Sequence, residues 1–182
     1  MTLSSKIKKY VLTSVLSMLC SGCGFHMQHA RDLPDSLSTV YIKESHFFDH
    51  GLTSSLRNYF QGMQANITES QKSSPLTIEI TQVNYHNTSA ALDSGSNAIT
   101  NTYYANASLT VLNAHQQKIL GPKVFTTSHT ISQNSAIINT SAKTHQVNQE
   151  LTRTLVSSMT SWLNTPSNIK VFEQAIERDH AN

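Results

Sequence analysis

The chain has 182 residues, and only 13% of them are charged, about half the proportion usual in soluble domains. Its 25 Ser, 20 Thr, 14 Asn and 11 Gln mean that neutral hydroxyls and amides must cover most of the surface. The 38% of apolar residues exclude wholesale disorder, and the scarcity of glycine and proline excludes a collagen-like or low-complexity chain. The length and the lack of internal repeats predict one compact domain behind a short targeting segment.

The N-terminus has the pattern of an export signal. Three lysines precede an apolar run over residues 10–20, which is too short to cross a bilayer as a helix. The run leads into Ser-Gly-Cys23, which resembles a bacterial lipobox, where a signal peptidase cleaves before a cysteine that carries fatty acyl chains such as palmitate. The sequence therefore predicts a lipoprotein signal peptide over 1–22 and lipid attachment at Cys23. An ordinary secretory signal with incidental cysteines is the alternative.

Cleavage at this site changes the charge of the protein. Three of the 13 basic residues belong to the signal, so 10 would remain against 11 acidic residues, a net charge of −1 instead of +2. A near-neutral chain excludes a strongly basic nucleic-acid binder. No cysteine follows Cys23, so the mature fold can hold no internal disulfide. Two or more acyl chains would anchor the protein stably to a membrane.

The first half of the chain predicts two strands and a helix. Residues 39–43 are β-rich, and apolar residues spaced four, three and four apart over 52–63 share one helical face. Residues 76–86 alternate between apolar and polar, but the phase slips near Thr81-Gln82, which predicts a β-bulge. Residues 87–100 are polar and predict a loop.

The second half predicts a long hairpin followed by a helix. Apolar residues alternate from Tyr103 to Val111, and 113–118 read as a turn. A return strand over 119–131 is interrupted by Gly121-Pro122, which is typical of an edge strand or a bulge. A consistent apolar stripe over 142–164 predicts the second helix.

The order β-α-β-β-β-α predicts an α+β two-layer sandwich, with a mainly antiparallel four-stranded sheet and two helices on one face. We expect residues 23–38 to form a lipidated tether and 39–164 the α+β domain. Residues 165–182 are expected to form a C-terminal tail with a short helix.

No motif predicts catalysis. His46 and His50 are four residues apart but lack the glutamate of a helical zinc-hydrolase motif, so we interpret them as surface histidines. There is no G-x-S-x-G elbow, and glycine is too scarce for a phosphate-binding loop. We therefore expect neither an enzyme nor a protein with a metal or cofactor.

Several short motifs occur in a characteristic order. They are Gly22-Cys23-Gly24-Phe25-His26, Leu33-Pro34, Val40-Tyr41-Ile42, Leu52 to Leu56-Arg57, Tyr103 to Asn113, Gly121-Pro122-Lys123-Val124 and Asn134 to Asn139. This arrangement resembles the lipopolysaccharide-assembly lipoprotein family, the E component of the outer-membrane Lpt transport machinery. The resemblance implies a lipid-anchored protein on the periplasmic side of the cell outer membrane. Such a protein plugs the β-barrel of the D component, helps to assemble it, and supports passage of lipopolysaccharide to the outer leaflet. The polar composition suits the polar lumen of a barrel, although a lineage bias in composition would also produce it.

Two positions depart from this family. The resemblance implies basic residues that meet lipopolysaccharide phosphates near Asp93-Ser94 and near Asn139, and neither position is basic here. Because phosphates need cationic or well-oriented N–H partners, direct binding would have to use neighbours such as Lys123 or Lys143. Ordinary solvated surface is the alternative interpretation of both lysines. The alternative function is a periplasm-facing carrier of a lipid or other amphiphile, which needs an apolar cavity between helices and sheet.

Overall fold

The computed structural model of the chain describes residues 33–43, 50–91, 98–134 and 141–181. They form β1 Thr39–Lys43, α1 Leu52–Gly62, β2 Asn66–Ile67, β3 Leu76–Ala91, β4 Ala98–Asn113, β5 Lys118–Asn134, α2 Ser141–Leu163 and α3 Pro166–Ala181. Short 3-10 turns at Asp35–Leu37 and Gln71–Ser73 precede β1 and β3. The predicted signal peptide, Cys23 and His46 lie outside the described residues.

The five strands form one sheet in the order β2-β1-β3-β4-β5. β1 is parallel to both β2 and β3, whereas β3, β4 and β5 form a long antiparallel meander. The predicted α+β two-layer class is confirmed, but the sheet is mixed and has five strands rather than four. The strand that the sequence does not predict is β2. It has only two residues, too few to produce an alternating pattern in the sequence.

The three helices pack on one face of the sheet. α2 contacts β4, β5 and both of the other helices. The stripe predicted for α2 faces the sheet, with only Trp162 half-buried, because apolar residues spaced three and four apart share one side of a helix. The core residues that the two layers contribute include Leu76, Ile78, Ile80, Ala105, Ala107, Leu109 and Val111 from the sheet, and Val147, Leu151, Leu155, Met159 and Leu163 from α2.

β3 keeps one side toward the helices because of a β-bulge. Its pairing with β4 shifts between Thr81 and Asn84, and Gln82 has a φ of 53°. The extra residue restores the phase, so Ile80 before the bulge and Tyr85 beyond it both point toward the helices. The bulge predicted at Thr81-Gln82 is confirmed.

The hairpin of β3 and β4 extends far into the segment predicted as a loop. The loop prediction for 87–100 is wrong for the residues described there, since Asn87 pairs with Tyr103 and the pairing continues to Ala91 and Ile99. Polar residues lie on both sides of this part of the hairpin. It therefore lacks the apolar alternation that marks a half-buried strand in a sequence.

Both ends of the folded unit extend beyond the predicted limits of 39 and 164. The unit begins at Leu33, and the 3-10 turn beside it places Leu37 in the core. At the other end, α3 is a helix of 16 residues rather than a short helix in a tail, and its Phe172 is fully buried. Thus the described residues contain three helices, where the sequence predicted two in the domain.

The turn between β4 and β5 and the interruption of β5 follow the sequence predictions. The Asn113 Oδ1 atom accepts hydrogen bonds from the N–H groups of His115 (3.1 Å) and Gln117 (2.8 Å), which closes the turn. β5 lies at the edge of the sheet, where an interruption by proline is tolerated. The Gly121-Pro122 peptide bond is cis, and the pairing with β4 shifts beside it.

Candidate functional site

The sheet face opposite the helices carries, beyond the bulge of β3, a regular array of polar side chains without Asp, Glu, Lys or Arg. Sheet register aligns three residues from each of β3, β4 and β5 in three rows. The rows are Asn84, Asn106 and Thr126; His86, Tyr104 and Ser128; and Thr88, Thr102 and Thr130. We call these nine residues the neutral face. With strands about 4.8 Å apart and rows two residues apart, the array measures about 10 Å by 14 Å between its outer Cα atoms.

The neutral face is accessible and internally ordered. Its β3 and β5 residues are exposed, and its β4 residues are half-buried between them. The rings of His86 and Tyr104 stack with centroids 5.0 Å apart and an interplanar angle of 11°. The hydroxyls of Thr102 and Thr130 are hydrogen-bonded at 3.1 Å. The surface thus offers hydroxyl, amide and aromatic groups but no Asp, Glu, Lys or Arg.

The reverse side of this array is held against α2. The hydroxyls of Tyr85 and Thr152 share a hydrogen bond of 2.7 Å, and Thr152 also donates to the carbonyl of Asn148 (2.7 Å). Farther along the hairpin, the Ser89 hydroxyl donates to the side-chain oxygen of the buried Asn101. These contacts fix the position of a part of the sheet that has few apolar residues.

The two predicted glycolipid contacts do not come together. Lys123 is exposed on β5, and Lys143 is half-buried in the first turn of α2. Phe125, close to Lys123, makes an edge-to-face contact with Trp162 near the end of α2 (centroids 5.6 Å apart). A helix rises 1.5 Å per residue, so Lys143 lies about 28 Å from Trp162 along α2. The lysines are therefore near opposite ends of this helix.

A cavity of about 530 Å³ lies between the β4–β5 turn and α3. Its lining includes Lys118, Arg178 and Asp179. The Asp179 carboxylate accepts hydrogen bonds from the Asn113 amide (3.3 Å) and from the N–H of Ala114 (3.3 Å). Asp179 thus anchors the turn to α3, and the cavity carries charges of both signs.

A second cavity of about 470 Å³ lies between α1 and α2. Its lining includes His50, His145 and Arg153, and the His50 ring makes an edge contact with Tyr85 (centroids 4.5 Å apart). Most side chains that line the two cavities are polar, so neither has the apolar lining of a lipid carrier. Within the described ranges, no three His, Cys, Asp or Glu residues are grouped to hold a metal ion. No helix in that part of the chain is sufficiently long and apolar to cross a membrane.

Comparison with known proteins gives a likeness of fold. No protein-family model matches the chain, and no curated protein matches it. A protein named as a homolog of the neuraminyllactose-binding hemagglutinin, from Helicobacter pylori, has a TM-score of 0.53 at 8% identity, covering 81% of this chain and 93% of that one. An uncharacterized lipoprotein B from Nitrosomonas europaea has 0.47 at 12% identity, covering 72% and 85%. A minor lipoprotein from Acinetobacter baumannii has 0.46 at 13% identity, covering 68% and 93%. The likeness to the Helicobacter protein, at 8% identity, is one of fold.

Sequence reasoning did not identify the neutral face. Part of it lies in the segment predicted as a loop, and its nine residues come together only through the register of three strands. The sequence does contain a signal that part of this segment is a strand. The run from Thr100 to Tyr104 is rich in threonine and tyrosine, and both residue types favour strands.

Proposed function

We propose that the protein is a non-catalytic lipoprotein, anchored through Cys23 on the periplasmic side of the outer membrane, that sits in the lumen of a β-barrel. The barrel is the D component of the Lpt pathway. The lipoprotein assists its assembly and the passage of lipopolysaccharide to the outer leaflet. The observation that carries the proposal is the neutral face.

An uncharged polar surface suits the interior of an outer-membrane barrel. The lumen of such a barrel is polar, and hydroxyls and amides can replace their bonds to water with bonds to its wall. An unpaired charge buried against the wall would lose its hydration, which is costly. The neutral face avoids that cost over three strands, and the stacked His86 and Tyr104 hold its centre in a fixed arrangement.

Lipopolysaccharide would contact the protein at separate places. Lys123 and Lys143 are too far apart to bind one phosphate together, so each would bind a phosphate as a single point charge. We expect Lys123→Ala and Lys143→Ala each to lower lipopolysaccharide retention by the purified lipoprotein, with additive effects in the double variant. Exposed Lys170 provides the matched control. Retention that is unchanged in the double variant would exclude these two contacts.

Photo-crosslinking from native membranes tests the barrel partner. A photoreactive residue at Ser128, in the neutral face, should give adducts with one barrel protein, identified by mass spectrometry. The same group at exposed Glu173 on α3 is the comparison, and we expect a lower yield there. If lipidated protein in the outer membrane gives no barrel adduct from Ser128, the neutral face does not contact a barrel wall.

A further inference from the structure

β5 forms a long open edge of the sheet. It is the last strand in the order β2-β1-β3-β4-β5, and among the described residues no strand pairs with its outer side. An open edge presents unpaired N–H and C=O groups that can pair with another chain. The opposite edge, β2, has only two residues and offers no comparable surface.

The two halves of β5 differ in how well this edge is protected. The first half contains Pro122 and two lysines, has a shifted register, and lies beside α3 at Ile119. Proline, lysine and irregular pairing are the devices that protect edges in natural sheets. From Val124 to Asn134 the sequence has no proline, glycine, Asp, Glu, Lys or Arg. Val124 is 60% exposed.

We propose that Val124–Ile131 of β5 pairs antiparallel with the same segment of a second copy of this chain, joining the two sheets into one. The segment spans about 27 Å. An antiparallel pairing of identical strands satisfies a two-fold axis, and it brings no like charges opposite each other because the segment contains no Asp, Glu, Lys or Arg. This proposal goes beyond the proposed function.

Any partner that pairs with β5 through main-chain hydrogen bonds must itself have an open strand edge. A closed barrel has none, so the barrel of the proposed function cannot extend this sheet through main-chain hydrogen bonds. A second copy offers an edge of the same length and composition. The proposed dimer therefore forms between copies that do not occupy a barrel.

The position of α2 fits such a dimer. α2 packs over β4 and β5 on the helix side of the sheet. Glu150 contacts His129 on β5 (3.4 Å), and exposed Thr154 and Ser158 lie one and two turns beyond Glu150 on α2. The side of α2 nearest β5 therefore carries small side chains there, which leave room for a second copy beside the edge.

Two measurements on the purified mature lipoprotein in mild detergent, without barrel, test the dimer. Light scattering over a concentration series should give a dimer for the wild type and a monomer for Thr126→Lys with Thr130→Lys. The control, Thr81→Lys with Thr88→Lys, introduces the same charges at exposed positions of β3 and should remain a dimer. Circular dichroism verifies that each variant is folded.

Crosslinking tests the geometry without adding charge. The mature chain has no thiol beyond Cys23, which the lipid occupies, so Ser128→Cys allows a bifunctional thiol reagent to join only two copies at β5. We expect a covalent dimer with Ser128→Cys and none with Thr81→Cys. A wild type that is monomeric at every concentration, or a dimer that survives the β5 lysines, overturns the proposal. Because no barrel is present, these results are independent of the proposed barrel contact.

Discussion

Replacement of Phe172 by alanine tests whether α3 is an integral part of the fold. Phe172 is fully buried in the same core cluster as Leu37. α3 contacts β4, β5 and the 3-10 turn at Asp35–Leu37, so its removal from the core would expose the two ends of the folded unit together. If residues 165–182 were instead a tail, the same substitution would have almost no effect.

The expected loss is large relative to the total stability. A buried phenylalanine replaced by alanine costs about 3–5 kcal/mol, against a free energy of unfolding of about 5–15 kcal/mol for a typical domain. At roughly 3 °C per kcal/mol for a domain of this size, Tm should fall by about 9–15 °C. Lys170→Ala changes an exposed residue of the same helix and should alter the free energy of unfolding by less than about 0.5 kcal/mol.

Urea unfolding of the mature protein, followed by tryptophan fluorescence, measures this difference. The chain has one tryptophan, Trp162, which is half-buried and contacts Phe125, so its emission should change when the helices leave the sheet. Equal urea midpoints for Phe172→Ala and Lys170→Ala would refute the docking of α3 and the burial derived from it.

Three further substitutions, one of them with a matched control, test the anchor, the β5 interruption and the support of the hairpin. Cys23→Ser should remove the acylation site and shift the protein from the membrane fraction to precursor or soluble material; membrane fractionation at normal mass would contradict the lipobox. Gly121→Ala should destabilise the fold by about 2 kcal/mol or more in urea unfolding, since φ is +86° and an added Cβ would lie 2.6 Å from a backbone oxygen of β4. Gly62→Ala, where an added Cβ meets nothing within 4 Å, should be neutral or stabilising by about 0.5 kcal/mol, and equal losses at both glycines would refute the contrast. Tyr85→Phe removes the 2.7 Å hydrogen bond to Thr152 and should cost about 1 kcal/mol, measured as a lower urea midpoint; an unchanged midpoint would exclude a stabilising role.

The elements that sequence could predict are those with one buried side. β4 shows its alternation from Tyr103 to Val111 because every second residue there packs against the helices. The bulge near Thr81-Gln82 was predictable because the slip occurs between apolar residues on either side of it. The stripe of α2 was predictable for the same reason.

The rest depends on contacts that no local pattern records. The parallel pairing of β1 with β3 joins distant segments, and nothing in residues 39–43 specifies its direction. The end of the β3–β4 hairpin is polar on both sides. The sequence there lacks the alternation of apolar and polar residues that would indicate paired strands. α3 has few apolar positions, and Phe172 becomes a core residue only after the helix packs.

The candidate site divides in the same way. The prediction of lipid attachment at Cys23 rests on a local motif and needs no knowledge of the fold. Lys123 and Lys143 are predicted from a resemblance in sequence, and the packing of β5 against α2 shows that they lie far apart. The neutral face requires the register of three strands, so it could not be derived from the sequence alone.

The position of β1 has a consequence for how the chain acquires its structure. β1 lies between β2 and β3, and Val40 of β1 pairs with Leu76 of β3. Both strands that pair with β1 therefore follow it in the sequence. During synthesis or export from the N-terminus, this strand emerges before either partner exists. The antiparallel meander can form from adjacent segments, whereas β1 must wait and insert between two edges. We therefore expect the last and slowest step of folding to be the closing of the sheet around β1, which makes this early strand the part of the described chain most in need of a chaperone.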